Sequence, residues 1–276
     1  MAFRTISLRR LGFCALAAVL TIPCLSAQAP PPGGTTPSPG VAAAKAALDH
    51  ALQEYNSGSD AAALPLFKRA ASLGAVDAMM YLGVMYGTGR GTAQDYTASM
   101  TWFRRAAEAG DGQAMCNIGL LYYQGLGTPK NYRDAMTWFR KSASAGNAEA
   151  MFNVGVLYRD GLGVAADYAE AMRWFRKAAS GGDAVAANAI GVLYEKGLGV
   201  TTDYGLAMNW YLQAAQTGNA TGMYNVGLLW EGGLGVAVNR DTAIDWYRHA
   251  AAAGDKAAKD RLKSLGVDER AQPAHH

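Results

Sequence analysis

Five tryptophans, Trp102, Trp138, Trp174, Trp210 and Trp246, stand 36 residues apart. Two residues before the first four stand Met100, Met136, Met172 and Met208. A row of indoles at constant spacing offers flat faces on which sugar rings stack, and a row of thioethers offers soft metal ligands. Both readings yield to packing. Each tryptophan neighbours a Phe or Tyr on one helical stripe, where large aromatics dominate burial energetics. Ile244 fills the fifth methionine slot; it cannot ligate a metal but packs as well. Both ladders are therefore read as core, and no cofactor or metal is expected.

Covalent and acid–base chemistry lack their residues. Past residue 27 the chain keeps one cysteine, Cys116, which excludes an internal disulfide there. Of the four histidines, His275 and His276 close the chain, while His50 and His249 flank the repeats at opposite ends. None offers the thiol a base, so Cys116 is expected to be a buried, inert side chain. Asp95, Asn131, Asp167, Asp203 and Asn239 share one repeat position. Proton transfer does not tolerate that exchange of Asp for Asn, whereas helix capping does. The "GLGV" loops lack the lysine and hydroxyl of a phosphate cradle. Asn117, Asn153 and Asn225 recur within a helix and are expected to bond a loop carbonyl. Asn219 opens an Asn-Ala-Thr sequon but reads as a helix cap. The chain is expected not to be an enzyme.

Residues 1–27 read as a secretory signal: "MAFRTISLRR" is basic, "LGFCALAAVLTI" is apolar and short for a bilayer span, and "PCLSAQA" offers small residues. Cleavage after Ala27 is favoured, with Ser26 next, whereas cutting after Ala29 would leave Pro30 first; a retained anchor is the competing reading. Export to a bacterial periplasm or beyond is expected, with a eukaryotic endoplasmic-reticulum lumen as the other compartment. Without Arg4, Arg9 and Arg10 the chain carries 22 basic and 22 acidic residues. That balance, with no Lys/Arg run, excludes a nucleic-acid-binding face. No membrane span is expected in the mature chain. Residues 28–40 are a Pro/Gly linker, 41–266 a helical array with full units from about 77 to 256, and 267–276 a disordered tail.

The 36-residue unit reads as two helices. In "EAMFNVGVLYRDG", Ala150, Val154, Leu157 and Tyr158 fall on one stripe, and "GLGV" breaks the helix. Asp167 then caps "YAEAMRWFRKAAS", with Glu170 completing a capping box. Asp111, Asn147, Asp183, Asn219 and Asp255 cap the first helices. Gly155 and its equivalents leave room for a neighbouring helix. A lone hairpin cannot cover its own apolar face, so the units must stack. The expected fold is all-α, a right-handed solenoid of about six helix pairs plus a C-terminal capping helix, "DKAAKDRLKSLG", with a wet outer face.

"EAMFNVGVLYRDGLGVAADYAEAMRWFRKAASGGD" resembles a Sel-one-like repeat, a relative of the tetratricopeptide repeat with a longer, glycine-marked loop. The resemblance covers residues 41–266 and implies a scaffold or adaptor with a groove built from first helices. Some cysteine-rich exported members are linked to β-lactam binding, so a hydrolase or β-lactam-binding protein is the rival expectation. This chain lacks their paired cysteines.

Spacing of i, i+3, i+7 and i+10 selects the first-helix residues that face away from the core. In successive units these begin with Asp77, Met80, Val84 and Gly87, then Gln113, Cys116, Leu120 and Tyr123. Next come Glu149, Phe152, Val156 and Arg159, and then Val185, Asn188, Val192 and Glu195. The last set is Thr221, Tyr224, Leu228 and Glu231. These slots vary while the frame repeats, as a surface reading a non-repetitive ligand would. Tyr123, Glu149, Phe152, Arg159, Asn188, Glu195, Tyr224 and Glu231 are the candidate contacts for a protein or peptide in the groove.

Overall fold

The computed structural model describes residues 39–268. The signal reading at 1–27, the linker up to residue 38 and the tail from residue 269 lie outside the described residues. Everything regular among the described residues is helix. Among the described residues there are thirteen helices, six pairs and a closing one. Contacts divide the chain into two compact units, one ending at Asn147 and the next beginning at Ala148.

The first unit holds α1 (Pro39–Asn56), α2 (Asp60–Ser72), α3 (Val76–Thr88), α4 (Tyr96–Glu108), α5 (Gly112–Gln124) and α6 (Tyr132–Ser144). The second holds α7 (Ala148–Asp160), α8 (Tyr168–Ser180), α9 (Ala184–Lys196), α10 (Tyr204–Gln216), α11 (Ala220–Gly232), α12 (Arg240–Ala252) and α13 (Lys256–Ser264). Helix α1 starts at Pro39, inside the stretch read as linker. At the other end Val267, read as tail, still packs on the cluster around Tyr247 and Leu262, and its N–H bonds Leu262 O at 3.0 Å.

The helix boundaries follow from satisfying exposed backbone donors and acceptors. Asp183 Oδ1 accepts the Ala186 N–H at 2.8 Å to start α9. Gly197 ends it at φ +66°, a left-handed conformation that side chains resist. Asp203 N–H then bonds Tyr194 O at 3.0 Å, closing the loop. Asp203 Oδ1 accepts the Leu206 N–H at 2.8 Å, which starts α10. The same sequence of caps recurs at Asp95, Asn131, Asp167 and Asn239. With so short a loop, the two helices of a pair run back along each other.

The core differs in one respect from the sequence reading. The tryptophans are half-buried; the residue after each, Phe103, Phe139, Phe175, Tyr211 or Tyr247, is at most 1% exposed. Each of these rings lies where a first-helix glycine faces it, Gly83, Gly119, Gly155, Gly191 and Gly227 in turn. Trp102, Trp138, Trp210 and Trp246 pack beside the core cluster of the preceding pair instead. Trp138 packs beside the cluster around Phe103 and Ile118, and Trp246 beside that around Tyr211 and Val226. Indole faces carry cations one turn on: Lys141 Nζ is 4.4 Å from the Trp138 ring, and Lys177 Nζ 4.4 Å from Trp174. The four methionines are core as expected, at 5–7% exposure, while Ile244 in the fifth slot is half-buried. Cys116 is fully buried in α5.

Candidate interaction surface

Of the eight candidate contacts, Tyr123 belongs to α5 of the first unit and the other seven to α7, α9 and α11 of the second. Tyr123 is half-buried, its ring 5.3 Å from that of Tyr132 and nearly perpendicular to it. The second unit brings the others onto one set of first helices. Phe152 is half-buried, its ring 5.5 Å from the core ring of Phe175. Tyr224 repeats that relation with Tyr247 at 5.5 Å. Arg159 forks onto the adjacent Asp160, Nε to Oδ1 at 2.7 Å and Nη2 to Oδ2 at 2.8 Å. Glu149 is half-buried in the first turn of α7.

Asn188 lies deeper, 5% exposed. Its Oδ1 accepts a hydrogen bond from Asn225 Nδ2 at 2.8 Å. In the first unit, Asn117 points its Nδ2 at Met80 Sδ, 4.0 Å away. Asn117 and Asn225 thus reach the first helix of the preceding pair, which corrects the loop-carbonyl expectation for these two. The physical reason is position: both sit on the face that meets the neighbouring first helix, out of reach of a loop.

The two remaining candidates are carboxylates tied to buried phenols. Tyr211 donates its hydroxyl to Glu195 Oε2 at 2.6 Å, and Tyr247 donates to Glu231 Oε2 at 2.7 Å. Burial first, and the nearby carboxylate second, push both phenols well above their usual range. Glu231 also receives Arg261 of α13, Nε to Oε2 at 3.0 Å and Nη2 to Oε1. That guanidinium, helped by Tyr247, holds the Glu231 carboxyl below its usual range. In the first unit Arg90 closes on Asp60 in the same two-pronged way, at 2.9 and 2.6 Å, with its guanidinium 3.7 Å from the ring centre of Tyr55.

Tyr211 and Arg261 were not among the sequence candidates. The chain carried a signal for Tyr211: the core ring is Phe in the three repeats where the fourth slot is Gly87, Tyr123 or Arg159. It is Tyr in the two repeats where that slot is Glu195 or Glu231.

Between these polar anchors the face is apolar. Val185 and Leu228 are 41% and 37% exposed, with Val156 and Val192 half-buried beside them. Among the described residues no group of His, Cys, Asp and Glu is placed to hold a metal ion, and no helix is long and apolar enough to cross a membrane. Such a face can make van der Waals and hydrogen-bonding contacts along several helices at once, the chemistry of peptide recognition.

The Sel1 repeat family matches five consecutive blocks of this chain, 76–111, 112–147, 148–183, 184–219 and 220–255. The solved Sel1 repeat protein from Oxalobacter formigenes is 32% identical, with a TM-score of 0.75, over 81% of this chain and 91% of that one. The protective antigen c5321 of uropathogenic Escherichia coli, which displays an SLR fold, is 30% identical with a TM-score of 0.67. That match spans 80% of this chain and 49% of the antigen. Immunity protein Pa5087 from Pseudomonas aeruginosa shares the fold at 19% identity and a TM-score of 0.52, over 76% of this chain and 81% of its own. No curated protein sequence matches the chain. Sel1 repeat proteins are generally non-catalytic scaffolds for protein interaction. With five contiguous repeats and two relatives at 30% identity or more over four-fifths of its length, the chain belongs to the Sel1 repeat family.

Proposed function

We propose that this protein is an exported, non-catalytic scaffold that binds a protein or peptide segment along the concave face formed by its first helices. The observation that carries the reading is the contrast between frame and face in the second unit. Cap positions and glycines repeat from α7 to α12 and an aromatic ring fills every core slot, while the variable slots change from Phe152 to the more deeply set Asn188 to Tyr224 and from Arg159 to Glu195 to Glu231. A face built only to cover the next helix has no reason to diversify when its frame does not. The basic start and short apolar stretch before residue 28 support export.

The test compares capture of partners from the native organism by the wild type and by a Phe152→Ala/Arg159→Glu/Tyr224→Ala variant. Loss of a specific partner, with helicity and melting temperature kept, is expected. Each lost aromatic or arginine contact should weaken binding by roughly 1–3 kcal/mol. A partner retained by the variant rejects these contact residues. Turnover of a β-lactam by the purified protein rejects the class of function.

A further inference from the structure

Glu195 and Glu231 stand 36 residues apart in α9 and α11, and so do Tyr211 and Tyr247, the phenols that hold them. Position 261, which supplies the guanidinium to Glu231, has its equivalent at 225. The two sites are thus the same construction up to that residue. At Glu231 the construction is completed from within the chain, because Arg261 reaches both carboxylate oxygens. At Glu195 the equivalent residue is Asn225, which is short and turns its amide to Asn188 Oδ1 at 2.8 Å. Glu195 keeps the Tyr211 hydroxyl on Oε2, and among the described residues no cation pairs with it. A carboxylate pinned through one oxygen by a buried donor has lost rotamer freedom before any ligand arrives. Pairing with it therefore forfeits less entropy than pairing with a mobile surface glutamate.

We infer that Glu195 is the specificity-determining residue of the face and that it receives an arginine of the bound segment, in the arrangement Arg261 shows at Glu231. The inference rests on the proposed groove. Its chemistry comes from the chain itself. A guanidinium meets a carboxylate through two parallel N–H···O bonds, which the ammonium of lysine cannot match in geometry. The surroundings set the rest of the ligand. Val192 lies one turn before Glu195 on the same face, Val185 is exposed at the other end of α9, about 15 Å along the helix, and Leu228 is exposed on α11. The bound segment is an apolar peptide carrying an arginine, not a polybasic tract, because no second unpaired carboxylate joins Glu195 in the fourth slots of α7 and α11.

The test uses the full chain and a library of nine-residue peptides with varied apolar flanks and a fixed central arginine, citrulline or lysine. Selected peptides are then measured by fluorescence anisotropy. Citrulline keeps the shape of arginine and removes its charge. Arginine peptides should bind at least about tenfold more tightly than their citrulline counterparts, as expected for a charge-assisted hydrogen bond. The difference should vanish in Glu195→Gln, whose amide oxygen still accepts from Tyr211. It should also be lost in Asn225→Arg, which installs within the chain the guanidinium seen at Glu231. Circular dichroism and melting temperature establish that both variants fold. Equal affinity for arginine and citrulline peptides, with binding lost in Phe152→Ala/Tyr224→Ala, overturns this inference and leaves the groove standing. An arginine preference that survives Glu195→Gln also overturns it. Peptides retained by Phe152→Ala/Tyr224→Ala, or failure to select any peptide, overturn the groove itself.

Discussion

The ring of Phe175 fills the space that a β-carbon on Gly155 would need: such an atom would lie 2.6 Å from both Cδ1 and Cε1 of the ring. Both partners are fixed, the glycine in α7 and the ring at the centre of its cluster. Gly155→Ala should therefore destabilise the protein by roughly 1–3 kcal/mol through overpacking, despite alanine's better helix propensity. Gly182→Ala provides the contrast. No atom lies within 4 Å of its would-be β-carbon, but its φ of +90° is one that L-residues resist. Its cost should be about 1 kcal/mol and purely conformational. Denaturant midpoints distinguish the two further: adding Phe175→Leu should recover stability for the first variant and not for the second.

Tyr211→Phe should be mild. Phe103, Phe139 and Phe175 show that the ring alone fills this slot, and the abandoned Glu195 is half-exposed and able to bind water. A loss of about 1 kcal/mol is expected, typical of one hydrogen bond. Thermal melts of Tyr211→Phe and Gly191→Ala side by side check the order, with the glycine variant melting lower.

Glu231 gives the chain a pH-dependent anchor for its closing helix. Arg261 holds the folded carboxyl below its ordinary value of 4.5. The pair's contribution is therefore fully present above 4.5 and is lost as pH falls from there through the lower folded value. Glu231→Gln should cost about 1 kcal/mol at pH 7, discounted because Arg261 is 39% exposed, and should converge with the wild type in acid. Stability measured from pH 7 to pH 3 checks the convergence.

Asp183 runs the other way. Burial penalises its charge and raises its carboxyl above the ordinary value of 3.8, even though it caps α9. An acid raised on folding lowers stability as pH climbs from the unfolded value through the folded one. Asn219 performs the same capping task one repeat later, accepting Gly222 N–H at 2.7 Å. Asp183→Asn should therefore raise the melting temperature at pH 7 and have no effect near pH 3. A lower melting temperature at pH 7 would show that the helix dipole outweighs desolvation here.

Much of the fold was legible because it is written in local chemistry. Asp203 as a cap and Gly197 as a helix end need nothing beyond their own loop, and both fall where the sequence puts them. The choice between Trp174 and Phe175 was not local. Adjacent helical residues differ by about 100° in direction, and an apolar stripe is wide enough to admit both. What decides is the facing residue twenty positions earlier, because Gly155 leaves a hollow that fits a benzene ring. The asparagines failed for a similar reason: Asn225 finds Asn188 across a 37-residue separation that no single-repeat pattern encodes. The slots that the spacing turned away from the core include Val84, Cys116, Leu120 and Asn188, all of which are buried, because a first helix is covered on more than one side. The polar anchoring of the face by Tyr211 and Arg261 was not legible either, because spacing identifies outward positions without saying which buried donor ends beneath them.

The second glycine of each loop has a consequence for how such a chain changes length. A β-carbon at Gly199 would lie 2.5 Å from Tyr168 Cβ, and one at Gly235 would lie 2.8 Å from Tyr204 Cβ. Each of these two loops is seated on the start of the second helix one pair earlier, and the two seats are one 36-residue step apart. The joint works as a ratchet whose tooth is a whole repeat. Excising 184–219 would set Asp183 before Ala220, and Gly235 would take over the seat on Tyr168. An excision one residue longer or shorter would shift the junction by one residue and move that glycine away from its seat. By this geometry a change of length by one whole repeat keeps the seat, and a change by a single residue does not.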